Sequence, residues 1–163
     1  MNSINIAGVE KYSVVDGPGL RYVLFFQGCN QRCIGCHNPS TQIIGEGKDI
    51  SIDEIVTDVI NTPGISGVTI SGGEPFLQFQ QLYKLCVWLK EVTGLNLWVY
   101  TGYTYEKIKK EFSEIKTVID TLVTDPFLLE ELTYTIPYVG SRNQRIVYFE
   151  KGVGVNGKTR KRK

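Results

Sequence analysis

The chain has 163 residues, 42% hydrophobic and 21% charged, with a formal net charge of +1. That length suits one globular domain with a real core, and no apolar run approaches the roughly 20 residues a membrane-spanning helix needs. Five of the 18 Lys and Arg fall at the C-terminus (Lys158, Arg160, Lys161, Arg162, Lys163), so the body is net acidic and carries no nucleic-acid footprint. The expected plan is a single domain over residues 1–157 and a basic tail over 158–163. The tail reads as a solvated, disordered terminus, with contact to an acidic partner or nucleic acid as the alternative. Residues 1–10 have neither a basic start nor an apolar block, which speaks against a secretion signal and for the cytoplasm.

In chain order, residues 20–28 (LRYVLFFQG) form a nearly continuous apolar run that predicts a buried strand. Three cysteines follow at once. Ser51 and Glu54 form a capping box that opens a helix with Ile52, Ile55, Val56, Val59 and Ile60 on one face. Pro63 and Gly64 stop it. Residues 67–71 (GVTIS) predict a second strand that runs into Gly72-Gly73-Glu74-Pro75. Residues 78–93 predict a helix with Leu82, Leu85, Cys86 and Leu89 on one face and Gly94 as its C-terminal cap. Residues 95–101 are a third strand turned by Gly102, residues 104–112 a charged helix, and residues 119–124 a fourth strand. Asp125 is expected to cap a short helix with Pro126 at its first position, and residues 145–150 give a last strand.

Strands that alternate with helices imply a parallel sheet with right-handed crossovers. Four or five strands are too few for an eight-stranded barrel. The expected fold is therefore α/β, an open partial (β/α) barrel with a mainly parallel curved sheet. Ligands of such sheets lie beyond the carboxyl ends of the strands, where the cysteine loop, Gly72-Gly73-Glu74, Gly102 and Asp125 all fall.

Cys29, Cys33 and Cys36 have the spacing C-x3-C-x2-C. Thiolates are the usual ligands of iron–sulfur clusters, and three of them leave one iron of a cubane free to bind a substrate. A structural zinc site closes with four ligands. His37 could complete such a set, although adjacent side chains fit a tight tetrahedron poorly; a disulfide is disfavoured in a reducing compartment. Cys86, at helical spacing among leucines, reads as a core residue. His37 is the only histidine and reads as a stacking residue, with acid–base work as the alternative. Gly72 and Gly73 let backbone approach a ligand closely, though a tight turn alone would explain them. Glu74 would set a carboxylate at the mouth of the sheet, suited to an ammonium group.

Together the cysteine loop, the later Gly-Gly-Glu-Pro and the β/α order resemble the radical S-adenosylmethionine (SAM) superfamily over about residues 12–150. Within it, four segments resemble the activating proteins of anaerobic ribonucleoside-triphosphate reductase, a family of glycyl-radical activases. They are Asp16-Gly17-Pro18-Gly19-Leu20-Arg21, Gly35-Cys36-His37-Asn38-Pro39, Thr101-Gly102-Tyr103-Thr104 and Arg142-Asn143-Gln144-Arg145. Gly35 stands where pyruvate formate-lyase activases typically carry an aromatic residue. Thr124-Asp125-Pro126-Phe127 departs from the Asp-Gly-Pro that this family often has there.

The resemblance implies an oxidoreductase with one 4Fe-4S cluster on Cys29, Cys33 and Cys36 and with SAM as second cofactor. It implies Gly35 and His37 near the adenine, Gly72, Gly73 and Glu74 on the methionyl part, and Thr101 and Asp125 near the ribose or partner. The implied reaction removes a Cα hydrogen from a glycine of the reductase large subunit, with electrons from a flavodoxin- or ferredoxin-type donor. The alternatives are a formate-lyase-type activase, a small-molecule radical enzyme such as a deazapurine synthase, or a non-enzymatic zinc or electron-transfer module.

Overall fold

Seven strands form one sheet in the computed structural model, which describes residues 2–150; the basic tail expected at 158–163 lies outside the described residues. The strands are β1 (Ser3–Ser13), β2 (Arg21–Phe26), β3 (Lys48–Ser51), β4 (Gly67–Gly72), β5 (Asn96–Tyr100), β6 (Thr121–Thr124) and β7 (Arg145–Tyr148), in the spatial order β3-β1-β2-β4-β5-β6-β7. The inner strands β2, β4, β5 and β6 run parallel. β1 is antiparallel to β2, β3 to β1, and β7 to β6. The two edge strands, β3 and β7, are not paired with each other, so the sheet stays open as expected.

Helices α1 (Ile52–Ile60), α2 (Phe79–Thr93) and α3 (Tyr105–Glu111) are the crossovers between the parallel neighbours. Alternation along each strand decides what meets them. Tyr22, Leu24 and Phe26 of β2, Val68 and Ile70 of β4, Leu97 and Val99 of β5 and Leu122 of β6 join the helix-side core. They pack with Ile52, Ile55, Val56 and Val59 of α1 and with Leu82, Leu85, Cys86 and Leu89 of α2. Each such side chain contributes about 1.5–3 kcal/mol by leaving water.

The opposite strand positions face the barrel interior, whose floor is Arg21. Its guanidinium is 1% exposed. Nε donates to Thr69 Oγ1 (2.7 Å), Nη1 to the Pro18 carbonyl (3.0 Å), and Nη2 to the Val68 carbonyl (2.9 Å) and the Asn96 carbonyl (3.0 Å). Gly67 makes room for it, because a Cβ there would sit 2.5 Å from Nη1.

Several expectations need correction. β1 was not anticipated: only Ile4, Ile6 and Ser13 of its eleven residues are buried, so it lacks a full apolar alternation. β3 is a four-residue edge strand whose sequence KDIS carries no strand signal. Ile60 is 58% exposed at the end of α1, past the point where that helix meets the core. No helix begins at Asp125, which has φ +80. Its carboxylate is taken up by Arg145 instead, and a 3-10 turn comes later, at Leu129–Glu131. Among the described residues no helix is long and apolar enough to cross a membrane.

Candidate metal centre and cofactor site

The cysteine loop leaves β2 through Gln27 and Gly28 and is tied down at both ends. Gly28 N–H donates to the Thr41 carbonyl (2.7 Å), and Cys29 N–H to the Gln42 carbonyl (3.0 Å). The Gln27 amide donates to the Ile43 carbonyl (2.7 Å) and the Ser40 carbonyl (3.2 Å). Gly28, Arg32 and Gly35 all have positive φ (96, 49 and 74), so the chain coils back on itself between the cysteines. Cys29, Cys33 and Cys36 are half-buried and unbridged. Burial pushes the Cys29 and Cys33 thiols up, while the Gln31 N–H, 3.4 Å from Cys29 Sγ, works the other way.

All three cysteines line one cavity of about 470 Å³ at the carboxyl ends of the parallel strands. Phe25, Ser71 and Tyr100 reach it from the barrel interior, and Gly72, Gly73, Glu74, Thr101 and His37 also stand on its wall. Gly72 and Gly73 bring β4 hard against β2. A Cβ on Gly72 would lie 2.5 Å from the Phe26 backbone, and one on Gly73 would fall on the Gly28 carbonyl oxygen. That close approach lets Gly73 N–H donate to the Phe26 carbonyl and Glu74 N–H to the Gly28 carbonyl, both at 2.8 Å. His37 packs on Phe127, ring centroids 4.8 Å apart.

Glu74 stands at the strand ends on the cavity wall, as expected, but is fully buried there. Oε1 accepts from Thr101 Oγ1 (2.8 Å) and Phe76 N–H (3.1 Å), and Oε2 from Gly102 N–H (2.8 Å). Burial raises its carboxyl to about 7, against these three donors. The Thr101 hydroxyl thus donates to Glu74, and it also accepts from Tyr103 N–H (3.0 Å).

Gly35 is exposed and packs toward Leu129, and Asp125 is absent from the cavity wall. The Asp125 carboxylate accepts from Arg145 Nε (2.7 Å), Arg145 Nη2 (2.9 Å) and Thr124 Oγ1 (2.8 Å). Cys86 is buried in the helix-side core, far in the fold from the cavity.

The sequence reading missed Tyr100, Phe127, Tyr134 and Tyr138 on the cavity wall. Tyr138 has φ +66 and its carbonyl accepts from Tyr100 Oη (2.9 Å). Nothing in a single sequence marks a tyrosine for such a conformation.

The donor chemistry fits an iron–sulfur cluster with an open corner. Three soft thiols line the cavity and the fourth cysteine is excluded from it by the core. The volume suits a cofactor-sized ligand beside them. A β/α half-barrel that gathers three cysteines and a Gly-Gly turn at the carboxyl ends of its strands is the architecture of radical SAM proteins.

Comparison with known proteins agrees. Residues 15–147 match the family model described as a 4Fe-4S single cluster domain. Pyruvate formate-lyase-activating enzymes of Staphylococcus aureus strains USA300 and N315 are each 38% identical over 131 residues, covering 74% of this chain and 52% of the relative. The chain thus spans about half the length of these curated relatives. In three dimensions, QueE from Escherichia coli superposes with a TM-score of 0.55 at 18% identity, over 63% of this chain and 53% of that one, a likeness of fold. The chain belongs to the 4Fe-4S single cluster domain family, within the radical SAM superfamily, and its cofactors are a cysteine-bound 4Fe-4S cluster and SAM.

Proposed function

We propose that this protein is a glycyl-radical activase, an oxidoreductase whose substrate is a glycine in the large subunit of anaerobic ribonucleoside-triphosphate reductase. The observation that carries the reading is the cavity wall with three cysteines and no fourth. Cys29, Cys33 and Cys36 would hold the cluster. The Gly72–Gly73 backbone would meet the methionyl part of SAM, and His37, packed on Phe127 with the rings tilted by 47°, would border the adenine. When bound, the cluster and SAM would supply the one-electron chemistry that removes a hydrogen atom from the glycine Cα. The chain would supply position, since the reacting carbon and the target hydrogen must meet closely. No general base is required. The one-electron donor is a flavodoxin- or ferredoxin-type protein, and the setting is the cytoplasm. The described residues, 2–150, act as one domain, and the remainder of the expected 1–157 lies outside them.

A formate-lyase activase is the second reading, favoured by the names of the Staphylococcus relatives. Gly35 supports the first. A Cβ there would come 3.1 Å from Leu129 Cδ1, at φ +74, so the aromatic residue typical of formate-lyase activases would displace Leu129. Arg142–Arg145 supports it also: Gln144 accepts from Gly140 N–H (2.8 Å) and Ser141 N–H (3.1 Å), and Asn143 donates to the Pro126 carbonyl (2.8 Å), closing the wall beside Phe127. The deciding experiment reconstitutes the chain anaerobically with iron and sulfide and adds dithionite and SAM. It then offers either large subunit and reads electron paramagnetic resonance. A glycyl radical on the reductase subunit is expected. A radical on formate-lyase alone would decide for the second reading, and absence of 5′-deoxyadenosine would end both.

A further inference from the structure

Between β6 and β7 the chain makes a loop that is cavity wall and outer surface at once. Its ends meet where Leu132 bridges Ser141, and Thr133 N–H donates to the Gly140 carbonyl (3.1 Å). The neck is held on several sides. Gln144 Oε1 accepts from Gly140 N–H and Ser141 N–H, and a Cβ on Gly140 would lie 3.1 Å from the Phe127 ring. Tyr138 has φ +66, which persists in a tyrosine only where its surroundings impose it, and Tyr100 Oη fastens its carbonyl to the end of β5. The tip is different. Tyr134, Thr135, Ile136 and Pro137 are all exposed, Tyr134 at 89%, and among the described residues the Tyr134 side chain has no hydrogen bond or ring contact. From Leu132 to Ser141 no residue is charged. Val15, in the turn between β1 and β2, is the other large apolar residue that both lines the cavity and stands in solvent.

We propose that the 132–141 loop is the docking lip for the protein substrate, and that its uncharged tip, Tyr134 with Ile136 and Pro137, lies against the glycine-bearing segment of the large subunit. This rests on the activase reading of the site. Surface loops with closed necks are frequently functional, and aromatic side chains free of charged neighbours mark the centre of protein interfaces. The occupant follows from continuity with the cavity. Tyr134 belongs to the cavity wall and to the surface together, so a body seated on the tip lies over the mouth. A second copy of this chain there would shut the cavity against its substrate, and so would an electron donor. Only a partner that sends a loop of its own backbone inside can cover the lip and still react. The fixed neck presents the tip in place, which leaves little to order on docking.

The test uses the full chain, reconstituted anaerobically, and the large subunit on which the wild type raises a glycyl radical. The dissociation constant of the pair is measured without air, with iron, sulfide and melting temperature as controls. Ile136→Asp sets a charge at the tip without altering the cavity wall. It is expected to weaken docking about tenfold, the scale of a well-buried interface residue, with cluster and melt unchanged. Ile136→Val is expected within about twofold of the wild type, as is Lys84→Glu, a charge change at an exposed position of α2. Wild-type affinity in Ile136→Asp overturns the proposal, and so does an equal loss in Lys84→Glu, which would show long-range charge and not contact. If Ile136→Asp lowers the melt or loses its cluster, Tyr134→Ala decides, since so exposed a side chain can be cut back without disturbing the core. A loss of the same size there upholds the lip, and wild-type affinity overturns it. A wild-type dimer that Ile136→Asp splits, with affinity for the large subunit intact, would assign the tip to a second copy and overturn the proposal as well. A wild type that binds neither large subunit and leaves no radical on either would instead remove the activase reading on which the lip depends.

Discussion

The four cysteines divide into two kinds by environment, and that division is testable. Cys33→Ala removes one of three thiols from the cavity wall, and reconstitution is expected to leave it colourless and without labile sulfide. Cys86 is fully buried among leucines, and burial pushes its thiol well above the ordinary range, so it is inert. Cys86→Ala is expected to cost on the order of 1 kcal/mol in denaturant unfolding and to keep the cluster. Gly73 tolerates no side chain, since a Cβ would strike backbone, which cannot rotate away. Gly73→Ala is expected to cost about 2 kcal/mol and to lower cluster occupancy by separating β4 from the cysteine loop, both measurable on one reconstituted sample. Cysteine spacing and paired glycines were legible because so few residue types do their chemistry. The exact use of Glu74 and Thr101 was not legible, because a carboxylate and a hydroxyl can face a ligand or each other, and only their mutual distance decides.

Helices announced themselves through their ends. Ser51 Oγ accepts from Glu54 N–H (3.2 Å) while Glu54 accepts from Ser51 N–H (3.1 Å), the reciprocal pair read from four letters of sequence. Ser51→Ala is expected to cost about 1 kcal/mol by leaving that N–H without its cap, detectable as a lower denaturant midpoint. Strands with one wet face, such as β1, hid because packing and not pattern places them. The tie between α3 and β7 was hidden too, being formed 39 residues apart: Arg145 donates to both Glu106 oxygens (3.1 and 2.9 Å) while also holding Asp125. Hydrogen bonds from Arg145 pull the Glu106 carboxyl from its usual 4.5 to about 2. A lowered folded-state value means that the tie is present above about pH 4.5 and is lost as pH falls toward 2. The difference in melting temperature between wild type and Glu106→Gln is expected to shrink to nothing over that window. Its size at neutral pH is small, because both partners are exposed.

The helix-side core includes none of the three cavity cysteines, so the fold is expected to form without the cluster. Stripping iron with a chelator is expected to leave far-ultraviolet circular dichroism and a cooperative melt in place, while the loop between Gly28 and Thr41 becomes open to protease. A small zinc module would behave in the opposite way and unfold with its ion. This separation explains why fold class was readable from the β/α rhythm alone while the barrel interior was not. Residues such as Arg21 and Tyr138 meet partners remote in sequence, and their neighbours are set only once the sheet has curved.

The two unpaired sheet margins, β3 and β7, carry a different consequence. Both lie outside the four central parallel strands, whose carboxyl ends carry the cavity. Extra strands can accrete at either border by ordinary ladder pairing, enlarging the bowl around a fixed centre. A longer chain of this architecture can therefore grow at its borders without disturbing the cysteine loop and the paired glycines at its centre.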